Sequence, residues 1–273
     1  MKNFNGKAIY SPQGKAGEYA EYACNFYVGC SNGCEYCYCK KGILAGVMGQ
    51  DKPQLKKCFK DESHALEIFE KELNANLSEL QKHGIFFSFT TDPCLPETIL
   101  LTNYAVELAT DNDVPCKILT KCTEWVDEFL SEAFNLECED GSQDWRIMYA
   151  FGFTLTGHDE LEPGASTNQE RIEAMKKLHD AGFKTFASIE PIIDFESSYR
   201  MIMKTIGFCD LYKVGLMSGK KYDISDCQAF IEKLNDIWEQ PKIYLKESIR
   251  KLSKYSLDEL DSNFINADYN IFE

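Results

Sequence analysis

From about residue 24 onward, short apolar runs rich in β-branched and aromatic residues alternate with longer stretches of helical period. That alternation predicts repeated βα units around a parallel sheet. The runs place strands at residues 24–28, 85–89, 116–119, 147–153, 184–189 and 211–216, with an additional one at 242–245.

Helical period is clearest over 62–83, where Leu66, Phe69, Leu73, Leu77 and Leu80 form one apolar stripe ahead of Gly84. A second helix is predicted after Thr167, whose hydroxyl caps the first turn while Glu170 reaches back; Ile172, Met175 and Leu178 face inward and Gly182 ends it. Further helices are expected at 97–110, 123–134, 195–206 and 224–238. The simplest parse is one catalytic domain over 24–247, with an N-terminal extension at 1–23 and an acidic tail at 248–273. The loops 42–61 and 135–144 and the tail are where substrate specificity is expected, and they carry no readable signature.

Composition narrows the classes. The 273 residues are 44% hydrophobic and 27% charged, as in ordinary globular proteins. The formal net charge of -15 gives non-specific attraction to nucleic acid or an anionic membrane no electrostatic support. The lysines Lys52, Lys56, Lys57 and Lys60 are predicted in a loop and read as a solvated connection. With neither a long apolar run nor a secretory signal, the expected location is the cytoplasm. The 12 cysteines then read as metal ligands or small buried hydrophobes rather than disulfides.

Cys30, Cys34 and Cys37 stand at CxxxCxxC spacing in a loop directly after the first predicted strand, flanked by Gly29 and Gly33. Three thiolates ligate three irons of a cubane and leave the fourth open to an exogenous ligand. Structural zinc, the rival, prefers four protein ligands, and Cys39, Cys24 or Cys58 is available as a fourth; yet no second CxxC occurs. Chemistry at the C-terminal ends of barrel strands favours the cluster.

Cys30, Cys34, Tyr36 and Cys37 match the radical S-adenosylmethionine (SAM) signature CxxxCxΦC, with an aromatic residue at Φ. Tyr10-Ser-Pro-Gln-Gly-Lys-Ala-Gly-Glu-Tyr-Ala, Asn25-Phe-Tyr-Val-Gly-Cys, Thr90-Thr-Asp-Pro, Leu119-Thr-Lys and Glu162-Pro-Gly-Ala-Ser extend the likeness. Together they resemble the branch related to spore photoproduct lyase, over roughly residues 10–216. The resemblance implies a partial (β/α)6 TIM-type barrel, a 4Fe-4S cluster on the three cysteines, and SAM on the open iron. It also implies reductive cleavage of SAM to a 5′-deoxyadenosyl radical, an electron donor such as flavodoxin or ferredoxin, and hydrogen abstraction from an organic substrate the sequence does not name.

On the same resemblance, Thr90, Thr91 and Asp92 are expected at the amino end of SAM, with an Asx turn ahead of Pro93 as the other reading of Asp92. Lys121 is expected near the SAM carboxylate. Thr154, Ser188 and Glu190, polar groups at strand ends, are candidates for the methionyl group or ribose hydroxyls. Tyr38 matches a tyrosine of hydrogen-atom return. Phe89 stands where the lyase carries its hydrogen-donating cysteine, and Cys94 is the nearest alternative thiol, weighed against a packing role. The four histidines show no metal-ligand pairing, and no Walker A loop, GxGxxG fingerprint or GxSxG elbow occurs. Two other readings stand beside the radical enzyme: a non-catalytic zinc- or iron-sulfur-binding interaction module, and, more narrowly, a DNA photoproduct lyase.

Overall fold

Side chains alternate across each strand, and here both faces of one sheet are buried, against different partners. The computed structural model describes residues 4–42, 45–135 and 144–273, so most of the 135–144 loop lies outside the described residues. In chain order the elements are β1 (Ile9–Tyr10), β2 (Ala23–Cys24), β3 (Tyr27–Val28), α1 (Ala45–Met48), β4 (Gln54–Leu55), α2 (Glu62–Ala75), α3 (Leu77–His83) and β5 (Ile85–Phe87). They continue as α4 (Ile99–Thr110), β6 (Cys116–Thr120), α5 (Val126–Asn135), β7 (Tyr149–Thr154), α6 (Asn168–Asp180), β8 (Lys184–Ile192), α7 (Phe195–Thr205), β9 (Leu211–Leu216), α8 (Ile224–Asn235), β10 (Lys242–Leu245) and α9 (Glu247–Ser253).

The main sheet runs β1-β2-β5-β6-β7-β8-β9-β10. Only β1 is antiparallel to its neighbour; β2 through β10 are parallel and follow one another in chain order, with helices between. β1 and β10 are the two ends of the strand order and do not pair with each other, each making only a single outer bridge among the described residues, Tyr10 to Asn5 and Ile243 to Phe264, so the architecture is the expected partial barrel, with β10 as a seventh parallel strand. On the outer face Phe87, Ile118, Phe153, Ile189, Val214 and Ile243 pack beneath the helices, together with Phe69, Met175, Ile202 and Ile231. Their strand neighbours Phe86, Ala150, Phe186, Leu211 and Tyr244 turn inward. Gly152 is one of these inward positions, and a Cβ there would sit 2.2 Å from the Phe186 ring that fills the barrel.

Both ends of the chain cross the open seam. Tyr19 lies among the inward residues, and Glu18 reaches β10 and α9, accepting from the Tyr244 hydroxyl at 3.1 Å and the Glu247 amide at 2.6 Å. At the other end of the barrel Ile271 packs in the same inner cluster, and Asn263 and Ile265 bond to the main chain of Pro241 and Ile243.

Six expectations are corrected. The first predicted strand divides: β2 joins the main sheet, while β3 leaves it to pair with β4, which itself lies in the lysine run read as loop. The 62–83 helix breaks at Asn76, whose non-helical backbone (φ -128°, ψ 18°) is held by its side-chain amide on the Glu72 carbonyl at 2.9 Å. The strand predicted from 147 starts at Tyr149, after a 3-10 turn over Trp145–Met148. Helices predicted from 97 and 123 begin at Ile99 and Val126, because the preceding residues bond in turns, the Thr98 amide to the Leu95 carbonyl and the Val126 amide to the Thr123 carbonyl. The capping box of Thr167 and Glu170 forms as its spacing predicts.

Candidate active site

The strand C-termini and the loops after them enclose a cavity of about 330 Å³. Cys30, Cys34 and Cys37 line it together with Tyr36, Tyr38, Thr90, Thr91, Asp92, Lys121, Thr154, Ser188 and Glu190. One cavity therefore gathers all but one of the residues singled out in sequence. The exception is Cys94, which is 8% exposed and packs in the outer core beneath the helices, so its thiol does not face the cavity.

The cysteine loop is built from left-handed turns and borrowed support. Gly29 (φ 84°) passes so close to the next segment that a Cβ would lie 2.4 Å from the Lys52 carbonyl, and Gly33 also has positive φ (68°). The Glu162-Pro-Gly-Ala-Ser segment packs along the loop: the Gly164 amide donates to the Asn32 carbonyl at 3.0 Å and the Glu35 amide to the Leu161 carbonyl at 3.0 Å. Tyr36, the aromatic of the motif, donates its phenol proton to Glu162.

Burial pushes the Cys30 thiol up to about 12 and also raises Cys34, so their thiolates call for a cation beside them. Cys37 is held down at about 6 by a hydrogen bond from Cys39 and by backbone N–H groups, against its burial. Among the described residues no group of three or more His, Cys, Asp or Glu side chains is arranged to hold a single metal ion. Of the three cysteines offered as a fourth ligand, Cys24 is buried in the outer core and Cys58 is exposed, and Cys39 alone lines the cavity with the loop cysteines. The donor set therefore fits a multi-iron cluster ligated one thiolate per iron better than tetrahedral zinc. Thr91 Oγ1 is buried on this cavity with no hydrogen-bond partner, an orphan that a polar ligand would satisfy. Lys121 lies 5.7 Å from the Tyr36 ring; burial lowers its pKa, but Cys34 and Glu162 outweigh that and the ammonium is favoured. Orphan hydroxyl, ammonium and cavity size together fit an amino-acid nucleotide such as SAM.

Asp92 departs from the expected role. Its Oδ1 accepts from the Cys94 amide at 3.0 Å and the Thr120 hydroxyl at 2.6 Å, and its Oδ2 from the Asn32 amide at 2.8 Å and the Lys121 backbone at 2.8 Å. A carboxylate has about four acceptor positions. All are occupied, so Asp92 is a clasp joining the cysteine loop to the ends of β5 and β6, and its Asx turn onto Cys94 is real. Thr90 likewise donates to the Tyr27 carbonyl at 2.5 Å, fixing the loop rather than presenting its proton to the cavity.

On the opposite wall, sequence reasoning named Ser188 and Glu190 but missed the side chains that hold them. Tyr19 Oη lies 2.7 Å from Ser188 Oγ and donates to Glu190 at 2.9 Å; the buried Lys246 donates to the same Glu190 oxygen at 2.6 Å and sits 4.4 Å from the Tyr19 ring. Burial, then the Glu190 charge, holds the Tyr19 phenol protonated. Lys246 stands just past the end of β10, so the strand-end rule could have found it. Nothing in sequence places Tyr19 there, since its position depends on where the N-terminal segment crosses the seam. Asn32, between two cluster cysteines, and the pairing of Glu162 with Arg171 were also unmarked.

No curated protein sequence is significantly similar to this chain. Among solved structures, the chain is similar in fold to "Spore photoproduct lyase complexed with dinucleoside spore photoproduct" (17% identity, TM-score 0.51, over 89% of this chain and 63% of that one). It is also similar to Streptococcus suis SuiB bound to S-adenosylmethionine (13% identity, TM-score 0.52, over 82% of this chain and 47% of that one). The chain thus spans less than two thirds of either protein. A profile described as the radical SAM superfamily matches residues 24–209. That match takes in the three cysteines and the strands from β3 to β8, and the chain belongs to the radical SAM superfamily, a family of enzymes that use a 4Fe-4S cluster and SAM.

Proposed function

We propose that this enzyme cleaves SAM reductively at a 4Fe-4S cluster held by Cys30, Cys34 and Cys37, and directs the resulting radical at an organic substrate. Bound there, cluster and cofactor supply a 5′-deoxyadenosyl radical that takes a hydrogen atom. The observation that carries the reading is the orphaned Thr91 hydroxyl on the same cavity as the three thiols and the Lys121 ammonium. Thr91 donates to a polar group of SAM, Lys121 balances its carboxylate, and Thr154 closes the cavity beside them. Ser188 and Glu190 take ribose hydroxyls; Glu190 has one oxygen, Oε1, left over from Tyr19 and Lys246. Tyr38 is the candidate for hydrogen-atom traffic, its phenol donating to the Phe89 carbonyl. A flavodoxin- or ferredoxin-type carrier supplies the electron.

Photoproduct repair draws less support. The Phe89 ring stacks on Phe86 at 4.5 Å, so the place of the lyase thiol is filled by packed hydrocarbon. Anaerobically reconstituted protein should hold about four irons with acid-labile sulfide and form 5′-deoxyadenosine under dithionite. Cys34→Ala should abolish both; retained 5′-deoxyadenosine formation would overturn the assignment, and one zinc in colourless protein would favour an interaction module.

A further inference from the structure

The charge of this acidic chain is unevenly spread. Between Lys40 and Lys60 it carries six lysines against the single acidic residue Asp51, in a chain with 29 basic and 44 acidic residues. This run is not a remote loop. The Lys40 amide donates to the Cys37 carbonyl at 3.2 Å, and the Cys30 amide to the Gln50 carbonyl at 3.0 Å. The run therefore grips the main chain of two of the three cluster cysteines. Lys40 is paired with Asp51 at 2.7 Å, and Lys56 donates to the Lys7 carbonyl at 2.5 Å. Lys41, Lys52, Lys57 and Lys60 are exposed and make no ion pair with a described residue. Val47, 61% exposed, and Tyr38, 59% exposed, add apolar surface in and beside the run.

Exposed ammonium groups this close in sequence and without an ion pair gain nothing inside the fold, whereas an anionic surface brought from outside would be steered to them. We propose that the exposed Lys41, Lys52, Lys57 and Lys60, with Val47 and Tyr38, form the docking surface for a small acidic one-electron carrier protein. The proposal rests on the cluster reading above and deepens it. One electron leaves the carrier and enters at the cysteine loop; no bond forms or breaks at the surface and no proton need move. Electron-transfer encounters use small interfaces, and a few uncompensated charges with exposed apolar side chains in and beside the same run suit one. Nucleic acid is the poorer fit, because a polyanion longer than the run would meet the acidic remainder of the chain.

The test uses reconstituted protein and reduced flavodoxin as the probe, with the triple variant Lys41→Glu/Lys52→Glu/Lys57→Glu and its milder Lys→Gln counterpart. Binding is read without turnover, by titrating isotope-labelled oxidised flavodoxin and following its amide shifts. Shifts should appear with wild type, weaken with the Gln variant and vanish with the Glu variant. Flavodoxin-driven SAM cleavage should fall about tenfold or more in kcat/KM at low salt, with the gap closing as salt rises, while dithionite-driven cleavage stays at the wild-type rate. Equal binding and equal flavodoxin-driven rates in wild type and variants would overturn the proposal. So would loss of binding to a DNA oligonucleotide in the Glu variant with flavodoxin binding intact. Failure of dithionite to yield 5′-deoxyadenosine in wild type would instead sink the cluster reading, and the binding titration would still judge the surface.

Discussion

Arg171 is fully buried, and its guanidinium lies 2.5 Å from a carboxylate oxygen of the equally buried Glu162. The other guanidinium nitrogens donate to the Thr154 carbonyl at 2.6 Å and the Ser166 carbonyl at 2.8 Å, and the second Glu162 oxygen receives the Tyr36 phenol. Helix α6 is thereby tied through one ion pair to the loop that carries the cluster cysteines.

Removing either partner strands the other as an uncompensated buried charge, at a cost of about 3–5 kcal/mol. Arg171→Met and Glu162→Gln should both lower the denaturation midpoint, and both should release iron faster to a chelator because Tyr36 loses its anchor. Unchanged iron retention in Glu162→Gln would show that the pair supports the barrel without bracing the loop.

The four hydrogen bonds to Asp92 make a second test. Asparagine keeps the shape but turns two acceptor positions into donors, so at least two of the four donors lose their partner, at about 1–3 kcal/mol each when buried. Asp92→Asn should therefore lose thermal stability. A drop in SAM affinity with the melting temperature untouched would return Asp92 to the ammonium-binding role expected from sequence.

Lys213 gives a pH signature. Its side chain points into the barrel, donates to the Glu18 and Tyr19 carbonyls at 2.8 and 3.2 Å, and is pushed down to about 7 by burial and then by the Lys117 and Lys246 charges. A lysine depressed in the folded state is protonated in the unfolded chain but not in the native one from about pH 7 up to its ordinary value of about 10.4. The unfolded state then binds more protons, so this group makes stability rise with pH across that window and contributes no slope below it. Against Lys213→Met, wild type should gain up to about 1.4 kcal/mol per pH unit between pH 7 and 10 in chemical denaturation. Parallel curves would mean that the ammonium stays charged inside the barrel.

The sequence made the strands and most of the cavity legible because both follow local rules. Short apolar runs rich in β-branched and aromatic residues located β5 to β10, and the rule that chemistry gathers at strand C-termini brought Lys121, Thr154, Ser188 and Glu190 to one cavity. What escaped depends on long-range paths. Whether Cys94 faces the cavity or the outer core is decided by a turn on Asp92, and whether Asp92 is free to bind a ligand depends on donors from Asn32 and Thr120, far away in sequence. Tyr19 reaches Ser188 across 169 positions, a distance no local pattern encodes.

The tail provides the last prediction, because it meets the same inner cluster from below. Ile271, 4% exposed, shares that cluster with Phe86, Phe186 and Tyr19, while Lys117 lies 5.3 Å from the Phe272 ring and Asn270 donates to the Lys82 carbonyl at 3.5 Å. Truncating a buried isoleucine to alanine removes about 2–5 kcal/mol. Ile271→Ala should therefore destabilise by about that amount, and Ile271→Val by about 0.5–1.5 kcal/mol. The loss should reach the cavity, since the Tyr19 ring packs on Phe86 at 5.6 Å while its hydroxyl holds Ser188 and Glu190. SAM affinity should weaken in Ile271→Ala and recover in Ile271→Val. Full stability in Ile271→Ala would show that the tail lies on the barrel without sealing it.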